Sequence, residues 1–143
     1  MALLGRKTAK RDKDFSTDAV INKINAQRPI SFISILKGFT LPIVTMVSGG
    51  SAGKEAPCAD VGAGVSSILA RLLRMDPENQ RKMMICGVSA GFAGVFGVPI
   101  SGALFGLEVL WVGHIFYEVM FPALVAGITA FQVTSFLGVD YIY

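Results

Sequence analysis

Three stretches of the chain carry no ionisable side chain: Gly38 to Gly53, Gly87 to Leu107 and Val119 to Val139. The last two reach the ~20 residues that cross a bilayer core as a helix. The first is shorter, and Ser31–Leu36 lengthens it on the other side of Lys37. Glycine and proline set the boundaries. They predict a first helix from Ile30 to Ser48, with Pro42 either kinking it or marking its irregular end. A glycine-rich loop follows from Gly49 to Glu55, then a second helix from Ala56 to Arg74. Arg71 and Arg74 suit the negative end of that helix dipole. Asp76-Pro77-Glu78-Asn79 forms a turn that starts a third helix, from about Asn79 to Phe96. Gly97-Val98-Pro99 breaks it, and a short fourth helix runs from Ile100 to about Val112. Gly113-His114 marks a further break before a fifth, Tyr117 to Leu137.

This pattern predicts an all-α, polytopic membrane protein of about five helices, some of them broken or tilted. Residues 1–28 read as a basic, polar lead-in that either binds anionic headgroups or is a solvated tail, and residues 29–143 as the membrane domain. Helices broken at membrane depth are tolerated only where they line a cavity or are buried in protein, and transporters build ion sites from such breaks. Arg71, Arg74, Arg81 and Lys82 cluster between the second and third helices, which puts that loop on the cytoplasmic side. The opposite end of the second helix, at Glu55, then lies near the middle of the bilayer. Small residues recur four apart, in the pairs Gly87/Gly91, Ala90/Gly94 and Gly102/Gly106, as close helix packing in lipid requires.

Composition agrees with the membrane setting. Of the 143 residues, 16% are charged and the mean hydropathy is +0.58, against roughly 25% charged in an ordinary soluble domain. Met1 to Lys7 has no apolar h-region and reads as no signal peptide. Cys58 and Cys86 lie in apolar sequence without metal-ligand spacing and read as small buried hydrophobes. His114 is the sole histidine, so neither a Ser-His-Asp set nor a metal centre is expected, and an enzyme is not. Gly53-Lys54 invites comparison with a phosphate loop. That loop needs a glycine where Ser48 stands and a hydroxyl residue where Glu55 stands, and so the comparison fails. No cofactor and no nucleic-acid partner are expected.

The chemistry concentrates in Gly50-Ser51-Ala52-Gly53-Lys54-Glu55-Ala56-Pro57, where one carboxylate and one lysine stand among glycines. A helix beginning at Ala56 or Pro57 would offer free backbone N–H groups and the positive end of its dipole, which together bind anions. Glu55 is then an anion tethered at an anion site, which suggests a gate. Its bland alternative is an ion pair with Lys54, although neighbours along a chain seldom face each other and ionisable groups at membrane depth are functional by default. Glu108 reads more simply, as the place where an apolar helix meets water or a partner subunit.

Gly53-Lys54-Glu55-Ala56-Pro57 resembles the G-(K/R)-E-G-P signature of the CLC family of voltage-gated chloride channels and proton/chloride antiporters. The stretch from Gly91 to Glu108 (GFAGVFGVPISGALFGLE) resembles the block that follows in that family, and the likeness runs from about Gln27 to the C-terminus. It implies part of an inverted-repeat membrane domain, in its first half, with Glu55 as the gating glutamate that swings out when protonated or displaced. It also implies chloride held around Gly53, Lys54, Glu55, Ala56 and Pro57. Leu104, Leu107, Glu108 and Phe121 match elements at the family's homodimer interface, and the location implied is multi-pass in the inner or plasma membrane.

Departures from the family pattern shape the expectation. Ala56 replaces a glycine of the signature, and Val109 stands where antiporters carry an inner glutamate, which favours a passive channel over an exchanger. Asp14 to Asp18 stand in place of the serine-bearing G-S-G-I-P motif, and the second-half G-x-F-x-P motif and pore tyrosine have no counterpart. The expectation is a truncated or split CLC-type chloride channel that acts as a homodimer or with a partner supplying the missing half. The alternative is a non-conducting membrane interaction subunit docked on a full-length partner.

Overall fold

Proline at a helix start and a left-handed residue after a helix end both recur along the chain. The computed structural model describes residues 32–51, 53–109, 117–139 and 141. Among these residues there are five helices and no strand: α1 (Phe32–Val47), α2 (Glu55–Leu72), α3 (Pro77–Phe96), α4 (Pro99–Glu108) and α5 (Tyr117–Phe136). The all-α class and the helix order agree with the sequence expectation. The lead-in over residues 1–28 and the break at Gly113-His114 lie outside the described residues.

α3 and α4 both carry proline in their first turn, Pro77 and Pro99, where its missing N–H has no intrahelical carbonyl to reach. α1, α2 and α5 end in the same double bond pattern. Gly50, Met75 and Val139 donate N–H to Thr45, Ala70 and Thr134. One residue earlier, Gly49, Arg74 and Gly138 donate to Met46, Arg71 and Ser135. These are Schellman motifs, which satisfy carbonyls orphaned at a helix end. Gly49 and Gly138 supply the positive φ at two of them, whereas Arg74 adopts φ 52° as a non-glycine residue. Pro42 lies inside α1 and does not end it.

α3 is the centre of the packing, in contact with α2, α4 and α5, while α1 leans on α2. The core cluster draws Ala59 and Ala63 from α2, Met84, Ile85 and Val88 from α3, Leu107 from α4 and Val119 from α5. Glycines make the close crossings possible, as their spacing suggests. A methyl group on Gly91 would run into the Cys58 carbonyl oxygen, and one on Gly87 into Ser66 Oγ and the Gly62 carbonyl oxygen. α4 folds back along α3, so that a Cβ on Gly102 would stand 2.9 Å from Ala93 N and Ser89 O, and one on Gly106 3.1 Å from Ile85 O. The fully buried Ser89 hydroxyl donates to the Ala123 carbonyl of α5 at 2.8 Å. A buried hydroxyl needs such a partner, and here the bond also fixes α5 on α3.

α5 is long and apolar enough to cross a membrane by length and composition. The Gly87–Leu107 run is divided, as its Gly-Val-Pro sequence predicts: Gly97 caps α3 at φ 68° and α4 restarts at Pro99. At the polar end of the bundle, Lys82 Nζ lies 2.9 Å from both Glu78 and Glu118, tying the first turn of α5 to the start of α3. Arg71 and Arg74 are exposed.

Candidate anion site at the start of α2

The first turn of α2 is set by the chain before it. The motif at Gly49 reverses the backbone after α1, and Gly53 and Lys54 lead directly into the helix. Lys54 is the N-cap residue, with helical φ −87° and ψ −12° and no side-chain cap bond. The helix therefore starts at Glu55, one residue earlier than the nearer of the two expected starts, and Pro57 is its third residue. The shift has a simple cause. Proline forbids a donor at its own position but not a helical turn ahead of it, and all of the first turn lacks intrahelical partners. The first ladder bond runs from Cys58 N–H to the Lys54 carbonyl at 3.3 Å. The Glu55 and Ala56 N–H groups precede it and have no helical carbonyl to reach, so they point out from the positive end of an 18-residue dipole.

Glu55 folds back over this end. Its Oε2 sits so close to Gly53 that a methyl group there would collide with it. The carboxylate thus lies against the backbone just ahead of the helix, where a free anion would also be drawn. Gly53, Lys54, Glu55 and Ala56 are exposed and Pro57 is half-buried. The carbonyl of Glu55 accepts the Cys58 thiol at 2.9 Å, one turn on.

Lys54 does not pair with Glu55. The Lys54 ammonium lies over the Phe96 ring, 4.8 Å from its centroid. Phe96 stacks on Phe92 at 4.5 Å, and Phe92 on Phe105 at 4.4 Å, so one aromatic column links the start of α2 to the end of α3 and to α4. Sequence reasoning placed these phenylalanines in a family-like block without a role. The four-residue step from Phe92 to Phe96 marks them as sharing a helix face, but nothing local points them at Lys54. Lys54 also borders a cavity of about 540 Å³ between α1, α2 and α3, lined by Phe39, Met46, Cys58, Val61 and Val95 among others.

The residues expected at a subunit interface differ in exposure. Leu104 and Phe121 are exposed, at 48% and 74%, and Glu108 is exposed at the end of α4. Leu107 is 2% exposed and belongs to the core cluster, with residues of α3 and α5. α4 is apolar nearly all round, so its sequence does not say which side faces in. Val109 packs against the same core.

The family model described as voltage gated chloride channel matches residues 1–143. A chloride/fluoride channel protein of Pseudomonas syringae pv. tomato is 42% identical over 97 residues, covering 68% of this chain and 22% of the relative. An H(+)/Cl(-) exchange transporter 5 of Cavia porcellus is 34% identical over 110 residues, covering 71% of this chain and 14% of the relative. The crystal structure of a CLC-type fluoride/proton antiporter superposes with a TM-score of 0.79 at 28% identity, over 97% of this chain and 35% of that one. The chain thus spans well under half the length of the proteins it matches. On its sequence, its helix order and the fold it shares with that antiporter, the chain belongs to the CLC family of voltage-gated chloride channels.

Proposed function

We propose that this chain supplies the gated anion site of a CLC-type chloride pathway. Chloride binds at the start of α2, on the Glu55 and Ala56 N–H groups, and the Glu55 carboxylate competes for the same place. The observation that carries this reading is the Glu55 carboxylate lying against Gly53 at the free N–H end of α2. An anion that displaces it gains the same donors and the same dipole. A protonated carboxyl would leave without being displaced. The relatives named for channels and for exchangers make both modes possible for the family. Val109, an apolar residue packed on the core where an acid would carry protons, supports passive passage here.

The chain matches 14–35% of the length of the proteins compared above, which supports a pathway completed by other sequence, whether a partner supplying the missing half or a second copy. The exposed apolar side chains of α1, among them Phe39 and Val44, suit a multi-pass protein surrounded by lipid or by such a partner. They equally favour the second reading, an interaction subunit that docks on a full-length protein without conducting.

Chloride titration of the purified chain in nanodiscs, followed through the amide resonances of Glu55 and Ala56, tests the site itself. Saturable shifts at these two amides are expected. Shifts absent from the α2 start would overturn the reading.

A further inference from the structure

We propose that Phe96 is a positioning residue for the anion site, acting through Lys54. The inference rests on the reading of the α2 start as that site. Lys54 and Glu55 are consecutive, oppositely charged and both exposed, so Coulomb attraction favours their pairing even though neighbours along a chain seldom face each other. Instead the ammonium sits 4.8 Å from the centroid of the Phe96 ring. The face of an aromatic ring attracts a cation, and more strongly where water is excluded. The ring is itself held: Phe92 stacks on it and Phe105 stacks on Phe92, from α3 and α4. Gly97, with φ 68°, ends α3 immediately after Phe96 and so fixes where the ring stands.

The consequence lies at Glu55. A lysine parked on Phe96 leaves the carboxylate without a covalently neighbouring cation, so the carboxylate turns to the helix start and covers Gly53. A lysine released from the ring is drawn to Glu55 and pulls the carboxylate away from the helix start that chloride needs. Phe96 therefore keeps the tethered anion in competition with the free one, and sets how readily chloride enters. Phe96 touches neither the anion nor the carboxylate in this scheme. It acts by holding a charge to one side.

The test is a double-mutant cycle on chloride binding, read by the same amide titration, with Phe96→Leu, Lys54→Gln and the pair. Phe96→Leu is expected to tighten apparent chloride binding about two- to fivefold, the range of an exposed cation–π contact. Phe96→Tyr, which keeps the ring face, is expected to bind as wild type does. In the Lys54→Gln background Phe96→Leu is expected to change nothing, because no ammonium remains to be released. An equal change in both backgrounds would show that Phe96 acts by packing alone and would overturn the proposal. The Lys54 side-chain protons give an independent reading of the contact, since they must be shifted upfield by the ring in the wild type and must lose that shift in Phe96→Leu. Unshifted Lys54 protons beside a normal chloride response would sink this proposal and spare the anion site. No chloride response at all would remove the site and the proposal together.

Discussion

The Glu55 carboxylate and the Gly53 backbone, two residues apart, are in such close contact that glycine is the residue that leaves room for this carboxylate position. An added methyl group would meet Oε2, the far end of a flexible side chain, so the backbone need not move and the carboxylate yields.

Gly53→Ala is accordingly expected to push Glu55 off the helix start while leaving the fold intact. The measurable outcome is tighter chloride binding at the Glu55 and Ala56 amides with an unchanged thermal unfolding midpoint. Weaker binding would show that Gly53 serves the anion directly, by close approach of its own backbone.

The crossing of α2 and α3 predicts the opposite balance. A methyl group on Gly91 would strike the Cys58 carbonyl oxygen and stand 3.2 Å from the carbonyl carbon, both of them backbone. Backbone cannot rotate away, so the helices must part. Gly91→Ala is expected to cost about 1–3 kcal/mol, the usual range for overpacking, as measured by unfolding in mixed micelles. A loss near zero would mean that the two helices slide without penalty.

Much of this fold was legible before the structure, and for local reasons. Pro77 and Pro99 announce helix starts, Gly49 and Gly97 announce helix ends, and the Gly87/Gly91 step announces a close crossing. Arg74 was not legible as a helix terminator, because a positive φ at arginine is imposed by the Schellman bonds of Arg74 and Met75 and not by side-chain preference. The start of α2 was misplaced by a residue because Pro57 is compatible with any first-turn position. The inward face of Leu107 was hidden by the uniform apolarity of α4. The Lys54–Phe96 contact joins residues 42 positions apart and needed the folded chain to be seen.

Ser89 carries a prediction about how α5 is held. Its hydroxyl is fully buried and donates to the Ala123 carbonyl at 2.8 Å. Ser89→Ala is expected to cost about 1 kcal/mol, the net value of one such bond, with chloride binding at the α2 start unchanged. A larger loss accompanied by altered binding would indicate that α5 helps to shape the anion site through α3.

The account's central claim is that Glu55 gates an anion. Chloride efflux from liposomes holding the purified chain, wild type beside Glu55→Ala and Glu55→Gln, tests it most directly. A tethered carboxylate lying at the positive end of the α2 dipole, an attraction of roughly 1 kcal/mol, should slow release about fivefold, so both variants are expected to release chloride about that much faster than wild type. Equal rates from all three proteins, zero included, would contradict the claim that this chain carries a working gate.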